Sequence, residues 1–326
     1  MITLALPWFI LSTTMFISIM LIMSASSWFM IWLSLEVNLL AFIPLALKKH
    51  NKYNAESIIK YFLIQASASI LIISPIFFHL QSNSKISYLI TIALMLKVAA
   101  APTHQWMPAL IEGLSWPSTF ILMTIQKIGP MLLLPIFMNS YITYIYIYAS
   151  ILIGSLGGFN QLNLRKILTY SSISHMSWFI TSMAISYSLW WIYFTVYMMI
   201  MATITLTFHM LKAEILPQTL MYNNSSSNII FSLSFLSLGG LPPFSGFIPK
   251  LMVVRQLIEQ PSLLLPMTLI MGTFISLFFY IRMLYSYLFA FSSTLTFTMN
   301  FHKSSTLLDF INLMGLLSVP LLLIWM

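Results

Sequence analysis

Long apolar runs alternate with short polar breaks along the whole 326-residue chain. The runs are far longer than the amphipathic stripes of a water-soluble helix, and a helix crossing a bilayer needs about 20 consecutive apolar residues. Read this way, the pattern predicts eleven crossings, at about 4–23, 27–47, 57–78, 86–111, 116–138, 141–161, 167–187, 189–211, 229–258, 264–291 and 307–325. Between them lie Lys48-Lys49-His50-Asn51-Lys52, Asn160-Gln161-Leu162-Asn163, the run Tyr222-Asn223-Asn224-Ser225-Ser226-Ser227-Asn228 and the Ser/Thr-rich stretch 292–306, each carrying turn and charge signals. The expected fold is an all-α integral membrane protein. With only short breaks, it forms a single membrane domain over 1–326.

Two spans are too long for a bilayer and contain helix breakers. Span 4 carries Pro102 and Pro108, and span 9 carries Gly239-Gly240, Pro242-Pro243 and Pro249. Proline removes a backbone donor and clashes with the preceding turn. Irregular backbone at membrane depth persists only inside protein or beside a hydrated cavity. The two breaks resemble each other: prolines six apart, with an aromatic two positions before the second (Trp106, Phe247), at an offset of 141 residues. That offset spans five helices, and an odd number inverts the second copy. Paired broken helices in inverted repeats point to a transporter-type site. The expectation is therefore two discontinuous helices in inverted five-helix repeats, one over about 4–138 and one over about 141–291, followed by a C-terminal helix at about 307–325.

Composition agrees. The chain is 60% hydrophobic and 6% charged, with a mean hydropathy of +0.94, where soluble proteins average about 25% charged. The net charge of +8 sits at helix ends or singly inside spans, and no basic patch with interleaved aromatics suggests nucleic acid. Loops after even-numbered helices hold Lys48, Lys49, Lys52, Lys60, Arg165, Lys166, Lys212 and Lys303, against Lys85 and Arg255 on the other side. The positive-inside rule then puts the N-terminus and the even loops on the inner face and the C-terminus opposite. The first apolar run begins almost at Met1 without a basic n-region or an Arg/Ser-rich transit stretch. Insertion from the compartment of synthesis, or a first helix acting as its own signal, is expected. With no cysteine, disulfides, thiolate metal sites and iron–sulfur ligation are excluded. No phosphate loop, dinucleotide fingerprint or hydrolase triad is present.

Candidate chemistry rests on charges alone in oil. Glu36, Lys97, Lys127 and Lys250 lie inside apolar runs, where a central charge costs roughly 2.5–3.5 kcal/mol on insertion scales and marks proton or ion paths. Glu36 is either a packing carboxylate held by Ser or Asn, or the counter-charge of Lys97. Burial disfavours a charged ammonium, which makes Lys97, Lys127 and Lys250 candidate proton carriers. Snorkelling to an interface is the other reading for Lys250. His104, in the first break, and His175, in the polar stripe Tyr170-Ser171-Ser172-Ile173-Ser174-His175, suit a relay or a hydrogen-bonded structural role. For Arg282, snorkelling and a buried pair are both open. Glu112 reads as the end of span 4, and His209 and Lys212 as the end of span 8. The histidines are too dispersed for a metal site.

These residues carry a resemblance. Trp32-Leu33-Ser34-Leu35-Glu36-Val37-Asn38, Leu96-Lys97 with Ala101-Pro102-Thr103-His104, Gln126-Lys127-Ile128-Gly129-Pro130, Gly157-Gly158-Phe159-Asn160-Gln161 with Leu164-Arg165-Lys166, Ser171-Ser172-Ile173-Ser174-His175 and Gly239–Lys250 make the chain similar, end to end, to the subunit 2 family of mitochondrial NADH dehydrogenase. These are antiporter-like subunits of respiratory complex I. Glu112-Gly113-Leu114 resembles arthropod versions. The resemblance implies inverted five-helix repeats with two discontinuous helices. It implies Glu36 and Lys97 as a coupled pair, Lys127, His104 and His175 on a central hydrophilic axis, and Lys250 near the second break. It implies a proton-translocating membrane-arm subunit in the mitochondrial inner membrane, N-terminus in the matrix and C-terminus in the intermembrane space. NADH, FMN, iron–sulfur clusters and ubiquinone would be bound by other subunits. The partners would be other membrane-arm subunits, neighbouring antiporter-like ones included, and phospholipids. Departures are Ala99 where the first motif usually has glycine, Leu251 after the second lysine, and Thr103 and Gln105 beside His104. Two rival readings stand beside it. One is a Na⁺ or K⁺/H⁺ antiporter subunit of the related class, disfavoured by a single central acid. The other is a passive scaffold.

Overall fold

In a bilayer every backbone N–H and C=O must find a partner within the protein, and a helix supplies those partners locally. The computed structural model of the chain describes residues 2–47, 51–77, 83–138, 140–219, 233–259 and 263–292, and these form helices joined by short turns. The predicted helix at 307–325 lies outside the described residues. In chain order the helices are α1 (Ile2–Ser24), α2 (Trp28–Ala46), α3 (Lys52–Phe77), α4 (Asn83–Val98), α5 (Trp106–Ile111), α6 (Trp116–Met123), α7 (Ile125–Phe137), α8 (Ser140–Gly157), α9 (Leu164–Ile185), α10 (Tyr187–Leu211), α11 (Leu216–Thr219), α12 (residues 233–239), α13 (Phe247–Ile258) and α14 (Leu264–Ser292). Among the described residues no strand forms beyond an isolated antiparallel bridge between Asn163 and Ile215. Among the described residues five stretches, Trp28–Ala46, Lys52–Pro75, Trp116–Phe137, Tyr187–Leu211 and Leu264–Tyr285, are long and apolar enough to cross a membrane.

The chain falls into two compact units that divide within α8, between Tyr146 and Ile147. In the first, α2 packs against α1, α3 and α7, and α4 against α3 and α7. Phe42, Ile72, Leu94, Met95, Met123 and Leu134 are fully buried among these helices. In the second, α9 is the centre, packed by α10, α13 and α14. Its Ser/Thr-rich sequence is nonetheless almost wholly buried. Thr169, Ser171, Ser172, Ser174, Ser177, Thr181 and Ser182 each return their hydroxyl to the carbonyl three residues back, so the polarity is satisfied inside the helix. Small side chains also permit close approach: a Cβ at Gly154 of α8 would lie 2.5 Å from the Ser174 backbone nitrogen.

The first long run does not continue as one helix. α4 ends at Val98, residues 99–105 turn, and α5 starts at Trp106. The second leaves helical geometry after residue 239 and resumes at Phe247. Both exits use the same local conformation. Ala99 (φ 62°) and Gly240 (φ 78°) are left-handed. Ala99 N–H donates to Leu96 O and Ala100 N–H to Met95 O, while Gly240 N–H reaches Ser237 O and Leu241 N–H reaches Leu236 O. This paired bonding around a left-handed residue is the Schellman motif, which closes a helix by satisfying carbonyls in its last turn. The two left-handed residues lie 141 positions apart, the interval that separates Pro102 from Pro243.

A further break was not expected. The run at 116–138 divides at Thr124 (φ −120°, ψ −78°). There Thr124 Oγ1 and its own N–H both donate to Phe120 O, at 2.6 and 3.1 Å, and Lys127 N–H turns back to Thr124 O. A side-chain hydroxyl competing for a helix carbonyl bends the helix, and Pro130 then denies Gln126 O its usual donor.

Candidate functional site

In the first unit, α2, α4 and α7 bring three of the lone charges into one region. Lys97 Nζ lies 3.9 Å from Glu36 Oε1, with the lysine side chain 3% and the glutamate 21% exposed. At that separation the charges attract without a hydrogen bond between them. Glu36 Oε1 and the buried Lys127 Nζ have no hydrogen-bond partner among the described residues. Lys97 and Lys127 border one small cavity with Tyr61, Gln65, Trp106 and Gln126, about the size of a single water molecule. The Schellman turn that ends α4 puts Lys97 here, in the last helical turn. The carbonyls freed by the break are taken by neutral donors: Gln65 Nε2 on Lys97 O at 3.3 Å and Trp106 Nε1 on Leu96 O at 3.1 Å. His104 is buried in the turn, with Nδ1 3.3 Å from Pro102 O, and it does not border this cavity.

In the second unit, His175 of α9 sits among aromatic rings. Its Nδ1 is 3.0 Å from the Tyr193 hydroxyl of α10, and the Tyr197 ring is 5.2 Å away between centroids. A cavity of similar size is lined by His175, Tyr193, Tyr197, Ser237, Leu238 and Pro249. Lys250, at the start of α13, does not line this cavity but bonds to Leu238, which does. Its ammonium donates to Leu238 O (3.0 Å) and Gly239 O (2.8 Å) and stands 6.0 Å over the Trp178 ring. These carbonyls end α12 at the break, where orphan acceptors and the negative end of the helix dipole favour a cation. Gly240 makes the contact possible, because a Cβ there would lie 2.8 Å from Lys250 Cδ and 2.9 Å from its Nζ. Lys250 is thus buried and turned onto backbone, not snorkelling toward an interface.

Other charges take structural places. The Arg282 guanidinium donates to Phe159 O and Gln161 O at 2.6 and 2.7 Å. It braces the turn after α8, where Phe159 stacks on Phe278, so among the described residues it is held by backbone carbonyls. Arg165, placed by sequence in a topology-setting loop, also forms a 2.7 Å ion pair with Glu214. Among the described residues no cluster of three or more His, Asp or Glu could hold a metal ion. Sequence reasoning missed Tyr61, Gln65, Trp178 and Tyr193. The available signals were spacings: Tyr61 and Gln65 are one helical turn apart, as are His175 and Trp178.

A family model described as "NADH:quinone oxidoreductase/Mrp antiporter, TM" matches residues 79–276. The chain is 39% identical over 311 residues to the NADH-ubiquinone oxidoreductase chain 2 of Anopheles gambiae, covering 91% of this chain and 88% of that one. It is also 39% identical over 316 residues to the chain of the same name from Aedes aegypti, covering 92% and 93%. In fold it is similar to a chain of respiratory complex I from Thermus thermophilus with bound aureothin, with a TM-score of 0.81 at 19% identity, covering 97% of this chain and 77% of that one.

Proposed function

The chain belongs to the NADH-ubiquinone oxidoreductase chain 2 family, and from that premise we propose how its buried charges work. It is a proton-translocating membrane-arm subunit of NADH:ubiquinone oxidoreductase, a multi-pass protein of the mitochondrial inner membrane within a multi-protein assembly. Quinone reduction elsewhere in the complex resets the Glu36–Lys97 pair. As the carboxylate moves away, Lys97 holds its proton less tightly and passes it toward Lys127, and onward to His175 and Lys250. His104 serves the same axis from the first break. The observation carrying this reading is the 3.9 Å approach of Lys97 to Glu36, with Lys127 across a water-sized gap.

The reading includes eleven crossings in two inverted five-helix repeats (about 4–138 and 141–291) with a final helix at about 307–325. Spans 4 and 9 are discontinuous, the N-terminus is in the matrix and the C-terminus in the intermembrane space. The shared Schellman exits at Ala99 and Gly240 support the repeat. Flavin, iron–sulfur clusters, NADH and ubiquinone belong to other subunits. Neighbouring antiporter-like subunits and phospholipids surround this one. The rival Na⁺ or K⁺/H⁺ antiporter function asks for oxygen ligands around the cation, and Glu36 is the one acid that the sequence sets centrally in a span. The test is Lys97→Met in the assembled enzyme, reading protons pumped per electron. The ratio is expected to fall, and an undiminished ratio refutes the role given to Lys97.

A further inference from the structure

The cavity between Lys97 and Lys127 has a neutral frame that the lysine series does not use. Gln126 precedes Lys127 and borders the same space. Its Nε2 lies 3.5 Å from Asn38 O and 3.3 Å from Asn38 Oδ1, and its Oε1 lies 3.2 Å from the Tyr61 hydroxyl. A backbone carbonyl can only accept, so the end of the carboxamide facing Asn38 is the NH₂ end. The Oε1 end therefore needs a donor, and Tyr61 O–H supplies it. Tyr61 is itself held: its ring meets Phe42 edge-on at 5.0 Å and lies 6.1 Å from Trp106, whose indole is tied to Leu96 O beside Lys97. Asn38 is two residues from Glu36 on α2. The frame thus joins the helix of Glu36, the end of α4 that carries Lys97, and the helix of Lys127.

We propose that Tyr61 is the positioning residue for the proton step between Lys97 and Lys127, locking the Gln126 carboxamide so that its oxygen end faces Tyr61 and the cavity. This rests on the reading that the two lysines exchange a proton. In the step an N–H bond of the Lys97 ammonium breaks, leaving a neutral amine, and an N–H bond forms on the Lys127 amine through water in the gap. Tyr61 and Gln126 keep their own protons throughout. With Oε1 fixed, that water is offered one acceptor in a set place. With the lock gone, only the long contacts to Asn38, at 3.5 and 3.3 Å, hold the carboxamide, so its oxygen end swings and the line from donor to acceptor is lost.

The experiment uses the assembled complex in vesicles, with NADH oxidation by an artificial electron acceptor as the control for the redox arm. Tyr61→Phe keeps the ring and removes the lock. It is expected to leave that control unchanged, slow proton pumping about tenfold, as misplacement of reacting groups does, and raise the solvent deuterium isotope effect on pumping. Gln126→Met is expected to do the same and serves if Tyr61→Phe does not assemble. Phe42→Leu, which disturbs the Tyr61 ring contact but no hydrogen bond, is expected to leave the isotope effect as in the parent. Normal pumping by Tyr61→Phe or Gln126→Met, where Lys127→Met abolishes pumping, overturns this proposal alone. An isotope effect in Phe42→Leu equal to that in Tyr61→Phe also overturns it, by making packing the cause. Normal pumping by Lys127→Met removes the lysine exchange on which it rests.

Discussion

Ala99 stands in a left-handed conformation (φ 62°) where the antiporter-like family usually has glycine. A Cβ in that region costs roughly 1–2 kcal/mol, offset in part by the larger entropy glycine loses on folding. Ala99→Gly is therefore expected to stabilise the subunit by about 1 kcal/mol or less, raising the temperature of thermal inactivation of the complex without changing its pumping ratio. An unchanged or lower temperature would mean the turn tolerates the methyl without strain. Single residues differ in how much of this the sequence exposes. A lone charge in an apolar run is conspicuous because it is costly, and Glu36, Lys97, Lys127 and Lys250 were all legible for that reason. Tyr61 and Tyr193 were not. In a chain with 15 tyrosines their hydroxyls read as interface decoration, and only the neighbouring helices reveal that one meets Gln126 and the other His175. Lys250 was visible as a charge, but its partners, the carbonyls of Leu238 and Gly239, are freed by a break some ten residues away.

The two broken elements solve one problem by different chemistry. At the end of α4 the freed carbonyls are met by Gln65 and Trp106; at the end of α12 they are met by Lys250. Lys250 is therefore a cap as well as a candidate proton carrier, and the two roles separate experimentally. Lys250→Met leaves two buried carbonyls without a donor, at about 1–3 kcal/mol each, so less assembled complex is expected in membranes. Lys250→Gln keeps a donor but carries no exchangeable charge. It is expected to restore assembly while pumping stays low; full pumping by Lys250→Gln would leave the lysine only its capping role. Proline and glycine mark both places in the sequence, since each limits the backbone in a known way. The division at Thr124 was hidden because its cause, a threonine hydroxyl bonding Phe120 O, is chemistry that most threonines perform without breaking a helix. α9 was legible as a helix but not as a core element. Its hydroxyls read as a polar stripe in sequence and are satisfied by its own backbone in the fold.

For the whole molecule, the hydropathy pattern and the Lys/Arg bias of the loops suffice for a multi-pass membrane protein, and the family comparison places it in complex I. What distinguishes the proposed mechanism at this scale is that both units serve one flow of protons. The first unit carries Glu36, Lys97 and Lys127, and the second carries His175 and Lys250. Lys97→Met and His175→Phe, each measured alone and together as protons pumped per electron, test this directly. The phenylalanine keeps an aromatic ring among Phe179, Tyr193 and Tyr197, so that cluster stays filled. Residues that act as one unit are non-additive, because the second loss finds nothing left to remove. If the proton passes from one unit to the other, the double variant matches the more severe single variant. If each unit drives its own proton, the two losses sum and the double variant falls below both. The series reading predicts the first outcome, and an additive deficit would split the path into two.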